Sequence, residues 1–139
     1  MGVFWRCFYH FIWSTKQRAP MITPQIETRL YQLIEDKSAE LKTRILAIGG
    51  VADHIHIAVA IPPTVAVSEW VRLIKGYTAH EINEHFTVLD ERFQWQAGYG
   101  VLTYGEKQLL FVTEYIRNQK AHHINHQTHD LLEQLDDEN

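Results

Sequence analysis

Apolar positions along this chain recur with two spacings, and the alternation between them lays out its elements. Residues 3–13 are aromatic and β-branched with few polar interruptions and predict a strand. A loop carrying Lys16, Arg18 and Pro20 follows, and Thr23-Pro24 has the form of an N-cap followed by a proline at the first helical position. From there Ile26, Leu30, Leu33, Ile34 and Leu41 fall at helical spacing, so a helix is expected to about Lys42. Residues 43–48 predict a second strand, Gly49-Gly50 a turn, and 53–61 a third strand halted by Pro62-Pro63. Ser68 is placed to cap a second helix whose inward side is Trp70, Val71, Ile74, Tyr77, Ile82 and Phe86. Residues 94–104 are strand-like, although Gly98 and Gly100 weaken them. Gly105 ends that run, and 106–121 carries Leu109, Leu110, Val112, Tyr115 and Ile116 at the spacing of a third helix.

The order β-α-β-β-α-β-α begins with the split β-α-β arrangement of ferredoxin-like (RRM-like) α+β domains. It predicts an antiparallel sheet with helices on one face and an additional C-terminal helix bearing Tyr115. In that arrangement the first and third strands are central, which puts 53–61 in the middle of the sheet. With 139 residues, 45% of them hydrophobic, the chain can build one core but not two. We expect a single domain over 1–121 and a polar, acidic tail over 122–139.

Charge and cysteine content narrow the setting. Nothing approaches the roughly 18 unbroken apolar residues of a membrane span. Arg6 and His10 interrupt the opening apolar run, which makes it a poor signal peptide. A single cysteine, Cys7, excludes an internal disulfide and fits a reducing cytoplasm. The net charge of −4 runs against the basic footprint of a nucleic-acid binder. Much of that charge, however, sits in the closing run Asp136, Asp137, Glu138. Arg6, Lys16, Arg18, Arg72, Lys75, Lys107 and Arg117 remain to form a local patch.

Two constellations carry chemistry. His54 and His56, two apart on a strand, project to one face while Ile55 faces the other. A pair of neutral imidazoles fixed in this way suits a divalent metal, but in a chain with nine histidines the pair is also compatible with chance. Tyr115 and Gln119, four apart on the last helix, share a face. Gln119 offers a hard amide oxygen beside a phenol, or Tyr115 is a core aromatic and Gln119 a surface residue. The two constellations support each other chemically. A phenol titrating near 10 is a weak nucleophile at neutral pH, and a metal on the scissile phosphate would withdraw charge and orient it for attack.

Several runs together resemble one family. His54-Ile55-His56, preceded by Asp53, resembles the histidine-hydrophobic-histidine signature of HUH nucleases. Tyr115-Ile116-Arg117-Asn118-Gln119 is similar to the tyrosine helix of the single-tyrosine transposases of small insertion sequences. Trp13-Ser14-Thr15-Lys16, the segment from Val67 to Gly76, and Trp95-Gln96-Ala97-Gly98-Tyr99-Gly100 resemble further family segments, all in family order from about Val3 to Gln119. The resemblance implies a homodimeric transposase of that type, or its relative, the REP-associated tyrosine transposase. Such a protein cuts and rejoins single-stranded DNA near hairpins through a 5'-phosphotyrosine. It implies Mg2+ or Mn2+ held by His54, His56 and Gln119, with Tyr115 as nucleophile.

Other positions keep two readings. Lys16, Arg18, Arg72 and Lys75 are candidates for holding phosphates, or they solubilise the surface; the resemblance favours DNA. Trp95 stacks on an unpaired base or packs in the core. His122, His123, His126 and His129 read as a solvated face beyond the domain rather than as ligands. The competing functional class is a ferredoxin-like module, inactive or domesticated, that binds hairpin DNA or RNA without cutting it.

Overall fold

The computed structural model describes residues 2–86 and 91–124 and shows the predicted α+β architecture. Four strands, β1 (Phe8–Ser14), β2 (Arg44–Val51), β3 (His54–Ala60) and β4 (Gly100–Tyr104), form one antiparallel sheet in the order β2-β3-β1-β4. The first and third strands are therefore central. All seven residues of β3 are buried, which explains why its sequence shows no polar alternation. β1 starts later than its apolar run, because β3 and β4 reach only to Phe8 in register; Val3 and Phe4 lie exposed.

The two faces of the sheet differ. On one, Phe11, Trp13, Ile55, Ile57 and Val59 meet α1 (Pro24–Glu40) and α2 (Val67–His85). Ile26, Leu30, Leu33 and Ile34 of α1 and Trp70, Val71, Ile74 and Ile82 of α2 complete this core. Each such side chain is stabilised by roughly 1.5–3 kcal/mol on leaving water. Thr23 caps α1 as expected, its side chain accepting from the Ile26 N–H at 3.4 Å. Ser68 does not cap α2; Ala66 holds that place without a side-chain bond, because the helix begins at Val67.

The other face is covered by α3 (Leu109–Arg117), which seats Val112 and Ile116 on Ala47 and Ala58 in a separate small cluster. Gly49 and Gly50 lie inside β2 rather than in a turn; the chain turns at Ala52-Asp53. Gly49 pairs with His56 across the strands, and a Cβ there would lie 1.8 Å from the Ile116 carbonyl oxygen. The missing side chain is what lets α3 rest directly on the sheet.

Two further expectations change at the C-terminal half. Residues 94–96 do not join β4. They pair with the chain just after β1 instead, through Lys16 N–H to Gln94 O, Gln96 N–H to Ser14 O and the Thr15–Trp95 bridge. The last helix is also broken. Asn118, whose side-chain amide and backbone N–H both donate to the Glu114 carbonyl, ends α3, and α4 (Gln119–Ile124) continues from it. The start of the expected tail is thus helical; residues 125–139 lie outside the described residues. No helix among the described residues is long and apolar enough to cross a membrane.

Candidate metal and nucleophile site

Strand parity places the site. Alternate residues of β3, His54 and His56, point to the α3 side, and the register sets them across from Ser14 and Ile12 of β1 and from Val51 and Gly49 of β2. Both rings are buried. His123, one helical turn beyond Gln119 on α4, reaches the same point. The ligating atoms of His54, His56 and His123 lie within 4.8 Å of one another. His54 Nε2 is 3.2 Å from His123 Nε2, which is 3.1 Å from the Gln119 amide oxygen.

These separations can be tested against coordination geometry. Ligands at about 2.1 Å from one ion lie ~3.0 Å apart at right angles and ~3.4 Å apart in a tetrahedron. The two measured gaps fall in that interval, so His54, His123 and Gln119 are spaced as ligands of one divalent cation would be, with a ring nitrogen of His56 within 4.8 Å of those of the other two histidines. Partners behind the rings strengthen the fit. Asp53 Oδ1 lies 2.7 Å from His54 Nδ1, and His10 Nε2 lies 2.8 Å from His56 Nδ1. Each pairing engages Nδ1, and a partner on one ring nitrogen is how ligating histidines are commonly oriented.

The Asp53 carboxyl is held below the usual carboxylate range, first by its hydrogen bond to His54, and by the nearby charges of His54 and Arg18 against the opposing effect of partial burial. Arg18 Nε reaches Asp53 Oδ2 at 3.3 Å. Its turn, Lys16–Arg18, is unusual in that Gln17 and Arg18 both take left-handed backbone angles, with φ of 57° and 55°.

Tyr115 is buried beside this cluster. Its ring stands edge-on to His56, with centroids 6.1 Å apart, and lies flat against His122 at 4.6 Å. His54, His56, Tyr115 and Gln119 are thus brought together within one chain, although the Asn118 break puts Tyr115 and Gln119 on different helices. The four candidate DNA-binding cations are not all on the site. Lys16, Arg72 and Lys75 line a groove of about 620 Å³ between α2 and residues 92–99, together with Arg92. Lys75 donates to the carbonyls of Gln96 and Gly98 at 2.7 and 2.9 Å, and Arg72 pairs with Glu69. Trp95 packs edge-on against Trp13 and Phe93 and donates to Thr78 Oγ1, the core alternative of its two readings.

Sequence reasoning missed three members of the cluster. His122 and His123 were expected on a solvated face, but both rings are half-buried against the site. The signal for His123 was present: Tyr115, Gln119 and His123 repeat every fourth residue. His10 carried no such signal, since only the β1–β3 register brings it to His56.

Fold and site together define a ferredoxin-like α+β protein that gathers imidazole, amide and phenol groups on the sheet face opposite its two long helices. The chain belongs to the IS200-like transposase family, whose model, "Transposase IS200 like", matches residues 3–119. It is 24% identical over 122 residues to the ISDra2 transposase TnpA of Deinococcus radiodurans, covering 85% of this chain and 87% of that protein. It is 29% identical over 119 residues to the transposase for insertion sequence element IS200 of Salmonella typhimurium, covering 83% of this chain and 78% of that one. Two solved structures share the fold. A candidate transposase of Deinococcus radiodurans superposes with a TM-score of 0.71 at 24% identity, over 86% of this chain and 95% of its own. A REP-associated tyrosine transposase bound to a REP hairpin gives 0.63 at 18%, over 92% and 76%.

Proposed function

We propose that this transposase cuts and rejoins single-stranded DNA through Tyr115, beside a divalent metal held by His54, His56 and Gln119. The observation that carries the reading is the convergence of these four side chains, from the central strand and the C-terminal helices, on one face of one chain. The Tyr115 hydroxyl attacks the phosphorus, forming the tyrosine–phosphate bond as the bond to the 3'-oxygen breaks. The phenol gives up its proton, and the departing 3'-oxygen takes one up. A later 3'-hydroxyl reverses these changes, so resealing needs no ATP. A bound divalent ion would supply charge withdrawal and orientation at the phosphate. Asp53 and His10, each beside an Nδ1, would orient the two imidazoles so that Nε2 faces the ion.

The groove lined by Lys16, Arg72, Lys75 and Arg92 is our candidate seat for a hairpin stem, a reading supported by the hairpin bound to the REP-associated relative. Lys75 would contribute there mainly by shaping the loop at 96–98, because its ammonium already serves carbonyl oxygens. The turn Lys16–Arg18 joins this groove to the cluster through Asp53.

The test is covalent-adduct formation on a single-stranded oligonucleotide carrying a host hairpin, read as a band that survives denaturation. Tyr115→Phe should keep hairpin affinity and lose the adduct. His56→Ala should lose it through the metal, with partial rescue by excess manganese that Tyr115→Phe never shows. Wild-type adduct yield from Tyr115→Phe would show that another residue is the nucleophile. Hairpin binding with no adduct from the wild-type protein would leave a binding module without cleavage.

A further inference from the structure

We propose that His123 is a direct ligand of the same ion. The site then offers three imidazole nitrogens and one amide oxygen, and it selects a nitrogen-binding first-row cation such as manganese, cobalt or zinc over magnesium. This rests on the reading of His54, His56 and Gln119 as metal ligands and extends it. His123 Nε2 is the atom on which the cluster converges, 3.2 Å from His54 Nε2 and 3.1 Å from the Gln119 oxygen. With His54 Nδ1–H directed at Asp53, the His54 Nε2 lone pair faces His123. His123 Nε2 thus faces both the His54 nitrogen and the Gln119 oxygen, and these three ligand-type atoms converge as they would around one cation.

The position of His123 is set by the chain and not by chance contact. It sits one turn after Gln119, so both present the same side of α4. The Lys120 ammonium, between them in sequence, ties α4 down by donating to Glu27 at 2.6 Å and to the Gly50 carbonyl at 3.2 Å. The consequence for metal choice follows from ligand hardness. Magnesium prefers oxygen donors and retains its water, whereas imidazole-rich sets bind manganese, cobalt and zinc. Two imidazoles and an amide leave the balance open. A third imidazole tips it toward the nitrogen binders.

The experiment titrates metal-free protein with Mn2+, Zn2+ and Mg2+ by calorimetry, and records the visible spectrum with Co2+. It compares the wild-type protein with His123→Ala, His123→Gln and His56→Ala, with circular dichroism confirming each fold. His123→Ala should lose about tenfold or more in Mn2+ and Zn2+ affinity, the scale seen on losing even an outer-shell partner. Its Mg2+ affinity should stay within about twofold, and the Co2+ bands should shift and weaken. His123→Gln, which restores a donor but of oxygen type, should move preference toward Mg2+. Unchanged Mn2+ affinity and Co2+ spectrum in His123→Ala, while His56→Ala loses both, would overturn this proposal and leave the two-histidine site standing. Unchanged binding in His56→Ala would overturn the site itself.

Discussion

Tyr104 shows what one atom can cost. It closes β4 with its ring stacked on Phe8 at 5.8 Å, and its buried hydroxyl has no hydrogen-bond partner among the described residues. A buried hydroxyl left unsatisfied costs about 1–3 kcal/mol. Burial also pushes its phenol up to about 12. In the unfolded chain the group titrates near 10, so its contribution to stability is fully present below pH 10. It is lost as pH rises from there toward 12, because the unfolded state ionises first. Tyr104→Phe should raise the melting temperature at pH 7, by a free energy on the order of 1 kcal/mol. The variant should also lose stability less steeply above pH 10. Thermal melts across pH 7–11.5 check both, and a lower midpoint at pH 7 would show that the hydroxyl is satisfied.

Elements meet most closely where β2 passes under α3. Gly49→Ala would drive a methyl into the Ile116 carbonyl and push the tyrosine helix off the sheet, at a cost of about 1–3 kcal/mol. Adduct yield should fall far more than stability, since Tyr115 rides on that helix and Gln119 follows it at the start of α4. Gly76→Ala, in the middle of α2 with open space around it, should instead stabilise by about 0.5–1 kcal/mol. Parallel melts and adduct assays of the two variants separate helix seating from a general glycine effect. The same contact shows where sequence reading stops. Helical and strand periods, the shared face of His54 and His56, and the repeat of Tyr115, Gln119 and His123 are local patterns and legible. The glycine pair read as a turn because its reason, a helix carbonyl from 67 residues onward, is not local. His10 and Lys75 were opaque for the same cause: a strand register and a loop decide what they touch.

At the scale of the molecule, β4 is an edge strand, with no strand on its outer side among the described residues. Val101 and Leu102 there, and Leu110 and Phe111 at the start of α3, are large apolar side chains left 36–67% exposed. An edge strand with such side chains suits pairing with a second copy, the isologous dimer expected from sequence. The wild-type protein is expected to scatter light as a dimer with at least roughly 1,000 Å² of interface, and Leu102→Lys as a monomer. A wild-type monomer with and without DNA would remove the dimer from the mechanism. A last consequence comes from how the two sheet faces are held. The face under α1 and α2 is a broad core, whereas α3 rests on a seat of Ala47, Ala58, Val112 and Ile116. On that smaller seat the C-terminal helices are expected to open before the rest of the domain. Such opening would give a DNA strand access to the buried Tyr115 of the proposed mechanism. An ion held by β3 on one side and by α4 on the other, as proposed, would act as a clasp across that opening. At a hundred times its dissociation constant it would add about 2.7 kcal/mol to the work of opening. The metal would then set both the chemistry at the phosphate and how often the nucleophile is uncovered.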